Sequence, residues 1–313
     1  MKDKKNIALV CGGYSGEYII SLQSAEQIEK NLSEDFNLYK IIITQEDWYY
    51  EKDNKRISID KNDFSLSIEE KKIRFDAVFI IVHGTPGENG LLQGYFDMLN
   101  IKYNTCDALC SAITFDKTTC NAVVRDFDIV NVAKNITIYD NEEINIENIL
   151  SKVSLPVFVK PSQGGSSIGM SKVKEKEDLE EAIKKAFEVH NKVLIEEFIQ
   201  GVELSCGVFM EKGETKAFPV TEIVPKAEFF DYEAKYNGTT DEIVPARISD
   251  KLREQVQRTT ERIYKDLNCK GVCRIDYIYN EKEDKLYFLE VNTTPGQSLN
   301  SIVPNQVRAM GKD

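Results

Sequence analysis

Four polar side chains near the carboxyl end of the sequence have types and spacing that could hold a metal ion. The segment 272–296, VCRIDYIYNEKEDKLYFLEVNTTPG, reads as two β-strands joined by a charged turn. In each strand two polar residues stand at positions i and i+2, and residues with that spacing point to the same face of a strand. The two pairs are Arg274 with Asp276, and Glu290 with Asn292.

The register of these strands decides what the four side chains do together. A turn centred at 282–283 predicts that the two carboxylates face each other and that the guanidinium faces the amide. Two facing carboxylates repel each other unless a cation lies between them, and such a set of oxygens suits Mg²⁺ bound together with nucleotide phosphates. An ordinary hairpin with a solvated charged face is the alternative, and the apolar residues along both strands disfavour it.

A glycine- and serine-rich loop could grip a polyphosphate. The segment 159–173, VKPSQGGSSIGMSKV, follows a strand that ends at Lys160. Its glycines let the backbone bend and expose amide donors, and Ser166 and Ser167 add hydroxyl donors. It is not the Walker pattern, because no GKS or GKT follows the glycines. Lys117 could supply a second positive charge beside Lys160, although each lysine alone reads as a surface residue.

The next strand runs into a place suited to a nucleoside. In VLIEEFIQGVELSCGVF, 193–209, backbone groups near 197–199 could contact an adenine edge, and Glu203 could accept hydrogen bonds from ribose hydroxyls. Read alone, Glu196 and Glu197 would be surface charges.

Two loops near the amino end carry further candidate residues. VHGTPGENG, 82–90, closes an apolar strand with His83, and CGGYSGEYIISL, 11–22, places Glu17 after the first strand. Ligands tend to bind at the carboxyl ends of parallel strands. We therefore expect Glu17 to be available to hold an ammonium group, with His83 nearby.

The elements that must position these residues indicate an α/β protein. Three β-rich runs, Ile7–Cys11, Tyr39–Thr44 and Ala77–Val82, with a helix at Ser21–Leu32, form a βαβ pattern that predicts a parallel sheet. The whole sequence divides into segments 1–105, 106–198 and 199–313.

Within the last segment the hairpin 272–293 carries the metal site, and the aperiodic stretch 227–245 is predicted to be a lid loop.

Composition limits the classes of function. With 313 residues the chain is long enough for two or three domains, and its net charge of −12 disfavours nucleic acid and anionic membranes as partners. No apolar run approaches the length of a membrane span. The seven cysteines form no CxxC pair, which predicts reduced thiols in a cytoplasmic protein and no zinc site at Cys269 and Cys273.

In their order along the chain these motifs resemble the D-alanine–D-alanine ligases of the ATP-grasp superfamily. The matching pieces are GGYSGE, HGTPGENG, DK, VKPSQGGSSIGMSKV, LIEEFIQGVE, DYEAKY, RIDY and EVNTTPG followed by SIVP. The resemblance covers nearly the whole chain and implies three α/β domains, the first of them a Rossmann-like parallel-sheet domain. It also implies ATP held between the second and third domains, and a homodimer formed through the first.

The resemblance implies a role for each matching residue. ATP phosphates would be bound by Lys117, Lys160, Ser166, Ser167 and Lys235. The nucleoside would be bordered by Glu196, Phe198, Ile199 and Glu203. Mg²⁺ or Mn²⁺, two ions per site, would be held by Asp276, Glu290 and Asn292. The first D-alanine would lie at Glu17 and His83, with Glu17, Ser166 and Tyr236 forming a triad. The charged intermediate would be stabilised by Arg274 and the Gly296 amide, and the second substrate placed by Ser301 and Ile302.

The implied reaction is ATP-dependent ligation of two D-alanine molecules through D-alanyl phosphate, for peptidoglycan synthesis. Rivals are ligases that form D-alanyl-D-serine or D-alanyl-D-lactate, and a catalytically inactive nucleotide sensor. Tyr236 in DYEAKY favours the dipeptide over the depsipeptide. The sequence departs from the family at Gln297, Ser298 and Asn121, and its end at Asp313 leads us to expect a longer carboxyl end in relatives.

Overall fold

The computed structural model describes residues 4–32, 34–53, 55–165, 167–225 and 240–312. Its strands are β1 Asn6–Gly12, β2 Asn37–Ile43, β3 Trp48–Lys52, β4 Lys55–Asp60, β5 Ser65–Ile68, β6 Lys71–Ile73, β7 Ala77–Ile80, β8 Asn131–Val132, β9 Asn135–Tyr139, β10 Val157–Pro161, β11 Ser171–Val173, β12 Lys192–Glu197, β13 Val202–Glu211, β14 Glu214–Ala217, β15 Thr221–Pro225, β16 Thr240–Ile243, β17 Cys273–Asn280 and β18 Lys285–Asn292. Its α-helices are α1 Tyr18–Leu32, α2 Leu91–Met98, α3 Ala108–Phe115, α4 Lys117–Asp126, α5 Ile146–Leu150, α6 Leu179–Phe187, α7 Asp250–Asp266 and α8 Ile302–Ala309.

The first sheet has seven strands in the order β6-β5-β4-β3-β2-β1-β7. As the βαβ pattern predicted, β1 pairs in parallel with both β2 and β7. Residues 48–73 then add four antiparallel strands, an extension that the apolar runs did not indicate. The parallel part therefore directs the loops after β1 and β7 toward the same edge.

A four-stranded antiparallel sheet, β11-β10-β12-β9, occupies the middle of the chain. Its core packs α6 through Leu179 and Ile183 against the buried strand residues Val157, Val193 and Ile195. The alternation of apolar residues in β10 buries one face and leaves Phe158 and Lys160 on the other.

The third sheet runs β16-β15-β13-β17-β18-β8, with β14 paired beside β13. Strand β16, Thr240–Ile243, lies inside the segment 227–245 that was predicted to be a lid loop, so these four residues form a strand. Residues 226–239, and with them Lys235 and Tyr236, lie outside the described residues.

Residues 106–132 pack with the third sheet although they precede the middle one. Cys110, Cys120 and Val124 of α3 and α4 share a buried core with Leu204 of β13 and Ile275 of β17, and β8 pairs with β18. We propose on this packing that the segment 106–132 belongs structurally with the carboxyl-terminal sheet. None of the described helices is both long enough and apolar enough to cross a membrane.

The hairpin β17–β18 has the predicted side-chain pairs, but the position of the turn alone does not produce them. Arg274 pairs with Asn292 and Asp276 with Glu290, but Tyr277 pairs with Phe288. A regular ladder closed at 282–283 would set Asp276 opposite Leu289. The register shifts between positions 276 and 277, so an extra residue on β18 restores the alignment of the polar pairs.

Candidate active site

A cavity of about 590 Å³ lies between the four-stranded sheet and the third sheet. Both sheets and the glycine-rich loop contribute to its walls. The predicted site residues that line it are Glu17, Lys117, Lys160, Ser167, Glu196, Phe198, Ile199, Glu203, Arg274, Asp276, Glu290, Asn292 and Ile302. His83, Gly296 and Ser301 lie beyond the cavity lining, and Ser166, Lys235 and Tyr236 are not among the described residues.

Asp276 is the centre of a buried polar cluster in the third sheet. Its carboxylate accepts hydrogen bonds from Arg274, with Nη2 to Oδ2 at 2.8 Å, from the Ser205 hydroxyl at 2.6 Å and from the Asn292 amide at 3.0 Å. Burial by itself would lower the pKa of Arg274, but the charge of Asp276 overcomes it and raises that pKa. The cluster therefore holds two opposite charges in fixed positions at the cavity wall.

Glu290 projects from the neighbouring strand toward a lysine of another element. Its Oε2 lies 3.9 Å from Nζ of Lys117, which also donates to the Gly164 carbonyl at 2.8 Å. Asp116 caps the start of α4 by accepting from the Thr119 amide, and this cap fixes the position of Lys117.

The oxygens at this wall fit a divalent hard cation. Asp276 and Glu290 supply carboxylates and Asn292 supplies an amide, all on adjacent strands that face the same cavity. Mg²⁺ and Mn²⁺ prefer such oxygen ligands, whereas softer metals prefer sulfur and imidazole.

Lys160 lies half-buried on the opposite wall, in the four-stranded sheet. It forms an ion pair with Glu196 at 2.5 Å, and both side chains are less than one-fifth exposed. Burial would lower the pKa of Lys160, but the neighbouring Glu196 carboxylate raises it above its usual value. Glu196 is thus a buried counter-ion, not the surface charge that the bare sequence would indicate.

An aromatic patch forms one end of the cavity. The rings of Phe158 and Phe198 meet edge to face with centroids 5.8 Å apart. Lys172 places its ammonium 3.4 Å from the centre of the Phe198 ring. Lys172 was not among the site residues predicted from the sequence. The feature that could have indicated it is the strand β11 after the glycine-rich loop. This strand pairs antiparallel with β10 and sets Lys172 opposite Phe158.

Glu17 brings the first loop of the molecule against the glycine-rich loop. A Cβ atom added at Gly165 would lie only 2.7 Å from Oε2 of Glu17, so a larger residue at this position would displace that carboxylate. The carboxylate of Glu17 therefore lies directly beside the residue that precedes Ser166.

His83 ties the loop after β7 to the third sheet. Its Nδ1 lies 2.9 Å from the Thr294 carbonyl oxygen, and its Nε2 lies 3.4 Å from the Ser24 hydroxyl. Burial lowers the pKa of His83, although the nearby Glu17 carboxylate acts in the opposite direction. The imidazole is therefore neutral at physiological pH.

Glu88, which was not predicted from the sequence as a site residue, makes a second contact between the same regions. Its carboxylate accepts from the Gly84 amide at 2.7 Å and from the Thr294 amide at 3.2 Å. Burial, helped by the negative charge of Glu17, raises the pKa of Glu88 to about 7. A carboxylate beside a Gly/Pro loop was visible in HGTPGENG, but its partner Thr294, in the turn after β18, was not.

The turn after β18 completes the site near the first sheet. Ser301 immediately precedes α8 and shares a hydrogen bond with the Ser298 hydroxyl at 2.7 Å. A Cβ atom at Gly296 would lie 2.8 Å from the Ser301 hydroxyl oxygen, so the Gly296 backbone is close to Ser301. The Gln297 amide donates to the Ser24 hydroxyl of α1 at 3.2 Å.

Known proteins are similar to this chain over nearly its whole length. The family models described as D-ala D-ala ligase N-terminus and D-ala D-ala ligase C-terminus match residues 6–106 and 123–313. The chain is 45% identical over 312 residues to a D-alanine–D-alanine ligase of Bacteroides fragilis and 47% identical over 312 residues to one of Bacteroides thetaiotaomicron; each alignment covers 99% of this chain and 96% of the relative.

Solved structures give the same picture. The VanG D-Ala:D-Ser ligase of Enterococcus faecalis matches with a TM-score of 0.87 at 33% identity, covering 99% of this chain and 96% of that one. The D-alanyl-alanine synthetase A of Vibrio cholerae matches with a TM-score of 0.88 at 27% identity, covering 98% and 94%.

Proposed function

The chain belongs to the D-alanine–D-alanine ligase family, and on that premise we propose how its residues join two D-alanine molecules at the expense of ATP. It is a ligase of cell-wall synthesis with the ATP-grasp fold. We propose that the reaction passes through D-alanyl phosphate, because a free carboxylate is a poor electrophile and must be activated before an amine can attack it.

ATP would lie along the cavity between the two sheets. The adenine would bind at the aromatic end, bordered by Phe198, Ile199 and the Glu196 region, with Glu203 at the ribose. The phosphates would lie between Lys117 and Lys160, which line the same cavity from different elements.

The glycine-rich loop would close over these phosphates through Ser166 and Ser167. Lys235, from the predicted lid, would add a further positive charge at the γ-phosphate. Positioned cations of this kind stabilise the charge that spreads over a transferring phosphoryl group.

Asp276, Glu290 and Asn292 would hold Mg²⁺ or Mn²⁺, two ions per site. When bound, the ions would neutralise the charge of the phosphates and polarise the transferred phosphoryl group.

The first D-alanine would bind with its ammonium group at Glu17, with His83 close by. Since His83 is buried and neutral, it contributes shape and a hydrogen bond and not a positive charge that would repel the ammonium. The triad of Glu17, Ser166 and Tyr236 would fasten the two loops over the substrate. The contact between Glu17 and the Gly165 backbone supports this part of the proposal.

The second D-alanine would be placed by Ser301 and Ile302 and would attack the activated carbonyl. Arg274 and the Gly296 amide would stabilise the negative oxygen of the tetrahedral intermediate, and phosphate would then leave. The attacking amine must be unprotonated, so we expect activity to rise toward alkaline pH.

The observation that carries this proposal is the shared cavity. Its walls combine a buried lysine–glutamate pair, a carboxylate cluster and an aromatic patch, all at the positions where the family motifs fall. A D-serine second substrate is the competing specificity, because one structurally similar protein is a D-Ala:D-Ser ligase. The more similar curated relatives, at 45–47% identity, are D-alanine–D-alanine ligases.

We also propose a homodimer formed through the first sheet, and a cytoplasmic location where ATP is available and the seven buried thiols stay reduced. The mass of the protein in solution, measured by light scattering, tests the dimer.

The test is phosphate release with ATP, Mg²⁺ and D-alanine, with the product identified by mass. Parallel reactions replace the second substrate with D-serine or D-lactate, or replace both molecules with L-alanine. We expect D-alanyl-D-alanine to dominate. ATP binding without any ligated product would refute the proposal and leave a nucleotide sensor, and preferential D-alanyl-D-serine would change the specificity alone.

A further inference from the structure

Four cysteines that are far apart in sequence meet in the core of the third sheet. They form two pairs with three intervening residues each, Cys106 with Cys110 and Cys269 with Cys273. All four are buried, with exposed fractions of 0%, 3%, 2% and 0%. None of them lines the proposed ATP cavity. The first pair spans the start of α3, and the second spans the loop that leads into β17.

The sulfur atoms of three of these residues lie close enough together to share one metal ion, and the sulfur of Cys273 contacts that of Cys106. Sγ of Cys106 lies 3.6 Å from Sγ of Cys273, and Sγ of Cys110 lies 3.7 Å from Sγ of Cys269. The sulfurs of Cys106, Cys110 and Cys269 all lie within 4.8 Å of one another. A tetrahedral zinc ion with Zn–S bonds of about 2.3 Å requires sulfur–sulfur separations of roughly 3.8 Å. A disulfide requires about 2.05 Å, so these pairs match a metal site more closely than two disulfide bonds.

The immediate surroundings provide a hydrogen bond of the kind that stabilises a thiolate. The backbone N–H of Lys270 points at Sγ of Cys106, with 3.3 Å between the nitrogen and the sulfur. The ammonium of Lys270 forms an ion pair with Asp107 at 3.1 Å, which joins the two cysteine-bearing segments a second time.

We propose that Cys106, Cys110, Cys269 and Cys273 bind one zinc ion as a closed tetrathiolate site. Four sulfur ligands favour a soft or borderline metal, and four protein ligands leave no open position for a substrate. The site is therefore structural, and it is separate from the oxygen-lined wall proposed for Mg²⁺.

Such a site would link parts of the chain that are distant in sequence. The two short sulfur–sulfur contacts join residues separated by 167 and 159 positions. Cys273 is also the first residue of β17 and directly precedes Arg274. A zinc ion would thus anchor the beginning of the strand that carries Arg274 and Asp276.

The first experiment measures zinc in the unmodified protein. The protein is purified without a histidine tag, given zinc under reducing conditions, passed through gel filtration and analysed by elemental mass spectrometry. We expect one zinc ion per chain. Cobalt added to the stripped protein should give intense thiolate-to-cobalt charge-transfer absorption and the visible bands of a tetrahedral ion.

A second experiment uses matched cysteine variants. Cys110→Ser should reduce the zinc retained to roughly a tenth or less, because a structural site needs all four ligands. Cys206→Ser is the control, since Cys206 is equally buried in the same core and lies outside the proposed ligand set. It should retain zinc fully. If Cys110→Ser does not fold, the cobalt spectrum of the unmodified protein still decides the question.

Stability gives a readout that does not depend on ligase activity. Without ATP or Mg²⁺, removal of zinc should lower the melting temperature of the unmodified protein by roughly 5–10 °C, and zinc addition should restore it. Cys110→Ser should show no such response.

Two results would overturn the proposal. One is a protein that retains no zinc and releases seven free thiols on unfolding, which would make the cluster ordinary core packing. The other is a mass lower by two or four hydrogens than the reduced chain, which would show disulfide bonds in place of a metal.

Discussion

Two regions of this protein bury ionisable side chains in opposite ways. On the strands that line the cavity, buried charges are paired: Lys160 with Glu196, and Arg274 with Asp276. In the loop after β7, the buried His83 and the half-buried Glu88 have backbone groups as their main hydrogen-bond partners.

The difference lies in which protonation state burial favours. A charge of opposite sign keeps the groups on the strands ionised, and it raises the pKa values of both Lys160 and Arg274. Burial moves the loop groups toward neutrality, lowering the pKa of His83 and raising that of Glu88 to about 7. The strands thus carry fixed charges, which we propose meet phosphate and metal, whereas the loop carries a neutral imidazole and a carboxyl group that titrates near neutral pH.

The largest effect should follow from removing the charge of Asp276. Asp276→Asn keeps the size and one acceptor oxygen but leaves Arg274 without its counter-charge and weakens the proposed metal site. We expect kcat to fall about 10³-fold, comparable to the loss of a strong electrostatic contact in a transition state. Asp284→Asn, in the exposed part of the same hairpin, is the control. Unchanged kcat in Asp276→Asn would remove Asp276 from the site.

Breaking the Lys160 pair should chiefly affect stability and ATP binding. Lys160→Met leaves Glu196 buried without its cation, which should lower the free energy of unfolding by about 3–5 kcal/mol. The double variant Lys160→Met/Glu196→Leu should regain most of that stability and still bind ATP poorly, as calorimetry would show. A double variant with normal ATP affinity would assign the pair to folding alone.

The variant Glu88→Gln tests whether the pKa of Glu88 is raised in the folded protein. Since the pKa of Glu88 is raised in the folded protein, its contribution to stability is fully present below about pH 4.5 and is lost as pH rises through about 7. Relative to Glu88→Gln, the wild type should lose about 2–4 kcal/mol of stability between pH 4.5 and 8. Urea unfolding of both proteins at several pH values measures this difference. Parallel curves would show that Glu88 stays ionised.

An exposed pair should have the smallest effect. Lys184 and Glu180 form an i,i+4 pair on α6, with both side chains more than half exposed. Lys184→Ala should change the free energy of unfolding by about 0.5 kcal/mol or less. A change above about 1 kcal/mol, measured by urea unfolding, would mean that pairing matters even without burial.

The hairpin was the part of the site most open to prediction from sequence. Alternation along a strand is local, so the shared face of Arg274 and Asp276 could be predicted from three consecutive residues. The pairing of Asp276 with Glu290 depends on the register shift beside position 277, and no residue of the turn indicates that shift.

The contacts of the loop after β7 could not be predicted from local sequence patterns, because the fold decides which distant residues the loop meets. His83 and Glu88 both contact Thr294, more than two hundred positions away, and no periodicity connects them. The prediction of no zinc site at Cys269 and Cys273, which our proposal reverses, was made for a related reason. A spacing of three intervening residues is not a zinc motif by itself, and only the packing of α3 against the approach to β17 brings the two pairs together. The assignments of Ser166, Lys235 and Tyr236 stay predictions.

The contact between His83 and Thr294 also implies a delay during synthesis of the protein. The two residues are 211 positions apart, and a ribosome adding about 5–20 residues per second needs roughly 10–40 s to cover that distance. Throughout that interval the loop after β7 has already been synthesised, whereas its partner Thr294 has not. The contacts of His83 and Glu88 with Thr294 are therefore among the last to form in the newly made protein, long after the first sheet has had time to fold.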